Sequence, residues 1–242
     1  EVITLLTTSD REAMKELLRL DKYIDLAIPR GGEELIRFVH EHARVPIVLH
    51  FHGVCHIFVD DSAAADRAIE VCATAKTSAP ATCNATECVL VHEAIARSFV
   101  PRMVQRYTGD GVEVRGDAAV CLLAPAARPA ADGDWGKEFL DLIVAVKVVS
   151  DLNAAIAHIR RYGSNHTDAI LTETPAHARR FQAEVQSSCT LVNASTRFND
   201  GFQLGLGAEI GISTSKIHAY GPMGLEELTT QRFVVEGAYQ TR

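Results

Sequence analysis

What this sequence lacks narrows it before any motif is read. It has no clustered basic stretch, and 24 Lys+Arg against 31 Asp+Glu leave a net charge of -7, which repels a phosphate backbone. Nucleic acid is therefore not an expected partner. The six cysteines, at 55, 72, 83, 88, 121 and 189, have no paired CxxC spacing and are too sparse for a disulfide scaffold. Reduced thiols in a cytoplasmic setting are the expectation. No apolar run is long enough to cross a bilayer, and the amino end has no basic-then-apolar signal pattern, so no membrane is expected. There is no GxGxxG fingerprint and no internal repeat. The chain starts at Glu1 rather than Met, which reads as a fragment or a chain trimmed upstream.

What remains is an ordinary globular composition, 47% hydrophobic and 23% charged, over 242 residues. The pattern along it alternates strand and helix. Val2 to Leu6 reads as a strand, Ser9-Asp10 as a cap, and Met14, Leu17 and Leu18 as the apolar face of a helix. Ile24 to Ile28 is the next strand candidate. It runs into Pro29-Arg30-Gly31-Gly32, a helix through Leu35, Ile36 and Val39, and a third apolar run at Pro46 to Leu49. This is βαβ grammar, with its glycine turn at the carboxyl end of a strand, where nicotinamide or phosphate commonly sits. Gly31-Gly32 alone also fits a turn that uses glycine for positive φ. Ser62 to Lys76, Ile95 to Tyr107, Asp151 to Ile159 and Pro175 to Val185 read as helices. Glu87 to His92, Leu140 to Val149, Thr167 to Thr172 and Cys189 to Asn193 read as strands. The class is α/β with a mainly parallel sheet.

Three stretches carry candidate chemistry. In KTSAPATCNATE, Lys76 to Glu87, a helix runs out and Pro80 and Asn84 bracket Cys83 in a turn. A thiol exposed by a turn becomes a nucleophile where its surroundings favour the thiolate, and is inert where it is packed. In HFHGVCH, His50, His52 and His56 share one face of an extended segment and Cys55 the other, an arrangement that argues against a metal centre. From Phe198 to Gly224 six glycines break any long helix or strand, which suits a loop lining a site. Cys72 and Cys88 fall on core positions. RFVVE, Arg232 to Glu236, reads as a terminal strand in need of a partner.

Taken in order, IDLAIPRGG, HGVCH, KTSAPATCNATE, YGSNHTDAI, VNASTRFNDG, LGLGAEIGIS and GPMGLEEL resemble the gamma-glutamyl phosphate reductases, a branch of the aldehyde dehydrogenase superfamily. The resemblance covers nearly the whole chain. It implies a three-layer αβα fold and NADPH-dependent reduction of gamma-glutamyl phosphate to glutamate 5-semialdehyde in proline synthesis, through a thioacyl enzyme. The nucleophile of the Pro-x-x-Cys-Asn element falls on Cys83, with Asn84 beside it. Gly31 and Gly32 match the turn near the nicotinamide, and Glu138 the position that binds its ribose. Ser195, Thr196 and Arg197 stand where a departing phosphate or a substrate carboxylate is held, although Arg197 also fits a structural ion pair. His50 lies near the catalytic glutamate of related aldehyde oxidisers. The backbone N–H of Cys83 is the expected oxyanion donor, and losing one such donor costs about two to three orders of magnitude in rate.

His52, Leu49 and Ala79 depart from the family's usual acidic residue, lysine and arginine. The resemblance also implies a long upstream portion. Residues 1–50 then form the remainder of a dinucleotide-binding domain, 51–225 the catalytic domain, and 226–242 an oligomerisation element, with a homodimer and association with glutamate 5-kinase as expected assemblies. A truncated, non-catalytic assembly module is the alternative reading, and a thiol hydrolase using Cys83 with a histidine ranks behind both.

Overall fold

The computed structural model describes residues 3–48 and 52–242. Its centre is a seven-stranded parallel sheet. The strands are β1 Cys55–Val59, β2 Thr86–His92, β3 Glu113–Gly116, β4 Arg128–Pro129, β5 Ile143–Val149, β6 Thr167–Leu171 and β7 Cys189–Val192, in the spatial order β4-β3-β5-β2-β1-β6-β7. Every neighbouring pair is parallel, which demands crossovers, and helices supply most of them. With α1 Arg11–Leu17 and α2 Glu33–His42 as the first two helices, α3 Ala65–Thr77, α4 Glu93–Gly109 and α5 Ala118–Leu123 cover one face. On the other lie α6 Leu152–Tyr162 and α7 Pro175–Glu184.

Strand alternation decides which residue goes to which layer. Ile57, Val59, Val89 and Val91 pack on Cys72, Phe99, Val100, Met103 and Tyr107 from α3 and α4. Their alternates Phe58, Cys88 and Leu90 pack on Ile156, Ile159 and Phe181 from α6 and α7. Each fully buried aliphatic or aromatic side chain contributes about 1.5–3 kcal/mol relative to exposure. Both faces of β1 and β2 are covered, so their near-continuous apolar runs are what a buried parallel strand requires. Cys72 and Cys88 are both in this core, as their spacing predicts. Asp10, Asp117 and Asp151 cap α1, α5 and α6 by accepting from backbone N–H groups of the first turn.

The amino-terminal segment differs from its expected form. Ile3 to Leu6 are irregular and exposed, not a strand, and the expected parallel pair shrinks to one bridge between Ala27 and Ile47. Two short extended segments with no third neighbour cannot support a sheet. The connection between them, Pro29 through α2, nevertheless forms as the βαβ pattern predicts. The strand expected from Leu140 starts at Ile143, because Leu140 lies in a left-handed turn at φ 56°. In the glycine-rich segment, β8 Gly211–Ser213 and β9 Gly221–Met223 form a small antiparallel pair. RFVVE forms no strand pairing among the described residues and stands exposed.

Candidate active site

The nucleophile stretch joins α3 to β2 at the amino edge of the large sheet, and this edge faces the carboxyl end of the small Ala27–Ile47 unit. Between them lies a cleft of ≈ 830 Å³ lined by Arg30, Gly31, Gly32, His52, Ala81, Cys83, Gly136, Lys137, Glu138 and Leu140. Cys83, Gly31, Gly32 and Glu138, assigned separately from the sequence, therefore meet at one cavity. A second cleft, of ≈ 310 Å³, also reaches Cys83 and is walled by Glu209, Ile210, Gly211 and Ile212 from the glycine-rich segment. That segment lines the site, as its composition suggested.

The turn carrying Cys83 is fixed from below. The carbonyl of Cys83 accepts from the Cys55 thiol at 3.2 Å, and a Cβ on Gly53 would stand 2.2 Å from that carbonyl oxygen, so only glycine admits the approach. Cys55 Sγ lies 3.6 Å from His166 Nδ1, which is 2.6 Å from the Thr167 hydroxyl. Asn199 donates to that hydroxyl at 2.7 Å, and the Asn199 carbonyl accepts from the Asn84 amide at 3.0 Å. A ring of polar contacts thus leaves the turn at Cys83 and returns to it at Asn84. Asn84 is buried and its other amide atom takes a hydrogen bond from Arg197, so its function is to position the turn.

Arg197 also donates to the Thr82 hydroxyl at 2.9 Å. It is turned onto the nucleophile stretch, where its charge draws the thiol toward the thiolate. Thr196 is fully buried, with its hydroxyl 2.9 Å from that of Thr86, and Ser195 caps its own 3-10 turn. Of the three, Arg197 bonds the stretch on either side of Cys83, at Thr82 and Asn84, and Thr196 bonds its far end, at Thr86. His50 and Leu49 lie outside the described residues. The described members of HFHGVCH part company: His52 lines the cleft, while His56 is buried with Nδ1 2.9 Å from Asp168. His56, Cys88 and His158 converge instead beneath α6, with Cys88 Sγ 3.8 Å from His158 Nε2.

Electrostatics at the sulfur oppose its ionisation. Burial, then the carboxylates of Glu138 and Glu209, push the Cys83 thiol up to about 11, against its own backbone N–H and Arg197. Burial also raises Glu138, whose carboxylate accepts from the Gly53 N–H. At the ends of the stretch Lys76 Nζ sits 2.7 Å from Glu87 Oε2, both side chains buried. Burial pushes Glu87 up to about 7 despite that ammonium. Sequence reasoning assigned no role to Cys55, Lys76, Glu87, His166, Asn199 or Glu209. All six sit in the motifs HGVCH, KTSAPATCNATE, YGSNHTDAI, VNASTRFNDG and LGLGAEIGIS, so the signal was there as pattern without roles.

An aldehyde dehydrogenase family model matches residues 1–118. The gamma-glutamyl phosphate reductase of Desulforapulum autotrophicum is 55% identical over 99% of this chain and 57% of its own length. That of an Anaeromyxobacter species is 58% identical over 97% of this chain and 56% of its own. The crystal structure of gamma-glutamyl phosphate reductase from Thermotoga maritima superposes with a TM-score of 0.95 at 49% identity, over 98% of this chain and 57% of that one. The chain thus spans a little over half the length of the relatives it matches. Over that span, in sequence and in fold, the chain is similar to the gamma-glutamyl phosphate reductases, with an aldehyde dehydrogenase family model matching its first half.

Proposed function

We propose that the intact protein reduces gamma-glutamyl phosphate to glutamate 5-semialdehyde and phosphate, with Cys83 as acyl carrier and NADPH as reductant. The observation that carries this reading is the meeting of Cys83, Glu138 and the Gly31–Gly32 turn at one cleft. The cleft fits a nicotinamide dinucleotide. Its volume of ≈ 830 Å³ is ample, Gly32 opens α2 so that first-turn N–H groups are free of a side-chain cap, and the Glu138 carboxylate suits ribose hydroxyls. When bound, NADPH supplies the hydride that converts a Cys83 thioester to aldehyde and returns the sulfur as thiolate.

The chain's own residues perform the acyl transfer. The part-exposed Cys83 thiol gives up its proton to water, and its sulfur attacks the acyl carbon of the substrate. The carbon–oxygen bond to phosphate then breaks and phosphate leaves with the electron pair. The Cys83 backbone N–H, which faces the sulfur, is placed to meet the oxyanion that forms on the way. Arg197, Asn84 and Cys55 hold the turn so that this geometry does not have to be assembled during the reaction.

The test is the reverse reaction, phosphate-dependent NADP reduction from glutamate 5-semialdehyde, with the intact gene product. Cys83→Ser is expected to lower the rate by about three orders of magnitude or more, since a hydroxyl cannot replace the thiolate as carrier. Full activity in that variant would refute the assignment.

A further inference from the structure

We propose that the buried Lys76–Glu87 ion pair is a positioning device that fastens the nucleophile stretch to the opposite wall of the cleft, the Glu138–Leu140 segment. The proposal rests on the reading of that cleft as a nicotinamide site. Lys76 lies in the last turn of α3 and Glu87 is the second residue of β2, so the pair joins the two ends of the stretch that carries Cys83. Its Nζ–Oε2 separation is 2.7 Å, with side chains 0% and 1% exposed.

Stability alone is a poor reason to bury such a pair. Desolvating two ions cancels much of their attraction, and well-packed apolar residues of similar volume often do as well or better. What the pair has that apolar residues lack is a second attachment. The backbone N–H groups of Phe139 and Leu140 face the Glu87 carboxylate and favour its charge. Oε1 makes no close hydrogen bond of its own, so acceptor capacity remains for that backbone to tighten onto. Leu140 has φ 56°, a left-handed conformation that is uncommon for a bulky side chain and persists only where its surroundings impose it. Leu140 and Glu138 both line the cleft with Cys83. Lys76 also acts on Glu138 directly, through its charge. One buried pair therefore sets the nucleophile turn and the strained segment that presents Glu138.

Three variants of the intact gene product test this by NADPH dissociation constant and melting temperature. Lys76→Met strands the Glu87 charge and is expected to lower both affinity and melting temperature. The double variant Lys76→Met/Glu87→Leu is expected to regain the melting temperature while still binding NADPH about tenfold more weakly, because packing is restored and the backbone anchor is not. Leu140→Gly, which relaxes the left-handed turn, is expected to weaken NADPH similarly without lowering the melting temperature. A double variant with wild-type affinity, or affinities that simply follow melting temperature across the three, overturns the proposal, as does a wild-type protein that binds no NADPH. Failure of the reductase reading looks different: the wild type binds NADPH but turns over no semialdehyde.

Discussion

At Cys83 the chain holds a nucleophile in its protonated form. Burial removes the solvation a thiolate needs, and Glu138 and Glu209 add repulsion from two sides, which together outweigh Arg197 and the residue's own N–H. A thiol held in this form is a weak nucleophile. The sign of the effect is testable. With the thiol at about 11, alkylation of Cys83 by iodoacetamide should rise with pH through the alkaline range, and Glu138→Gln and Glu209→Gln should each accelerate it at pH 8 by several-fold, because removing a negative neighbour lowers the thiol's pKa. Peptide mapping separates Cys83 from Cys121 and Cys189, the other cysteines that are not fully buried. Unchanged or slower labelling in both variants would contradict this account of the sulfur's environment.

The elements show where local pattern suffices and where it does not. Four strands of the large sheet, β2, β5, β6 and β7, and four of its helices, α3, α4, α6 and α7, follow from alternation, caps and helical spacing, whereas the short β3, β4 and α5 carry too little periodicity to be read. Lys76 illustrates the opposite case. A lysine at the end of an amphipathic helix reads as solvated, and its burial depends on Glu87, which reaches it only after the turn has folded back. His158 is similar: it lies on α6 among core positions, 3.8 Å from Cys88, edge-on to Trp135 and tilted against Tyr162. Burial, with help from His56, Lys147 and Arg161, lowers it from 6.5 to about 3. The unfolded chain therefore takes up a proton below pH 6.5 that the folded chain refuses until about pH 3, so stability is lost as pH falls through that window. Melting temperature measured against pH should fall between these values and fall less in His158→Phe. Parallel curves for the two proteins would remove His158 as the cause.

For the whole molecule the informative surface is the carboxyl-terminal tail. Phe233 and Tyr239 are fully exposed and Val235 is 88% exposed, an apolar β-branched segment with open backbone on a chain of net charge -7. Such an edge is a pairing template, and a second copy of the protein is the partner we propose for it. The intact product is expected to elute as a dimer and Val235→Asp as a monomer in size-exclusion chromatography with light scattering. A wild-type monomer, or a variant that remains dimeric, would remove the tail from the interface. Among the described residues no helix is long and apolar enough to cross a membrane.

By itself the sequence determined the α/β class with a mainly parallel sheet, the longer helices and strands from Ser62 onward, and Cys83 as the residue to explain. Periodicity, caps and turn residues act over a few positions and are written locally. Tertiary structure alone decided that Asn84 and Thr196 are buried supports, that Arg197 turns onto the nucleophile stretch, and that Ile3 to Leu6 form no strand. It also brought Gly53 against the Cys83 carbonyl and the charges of Glu138 and Glu209 to bear on its sulfur. These outcomes depend on desolvation and on partners dozens of residues away, and neither is encoded in any single stretch. KTSAPATCNATE puts a cysteine in a turn; the sheet edge, the facing cleft and the buried pair beneath it set that cysteine's surroundings.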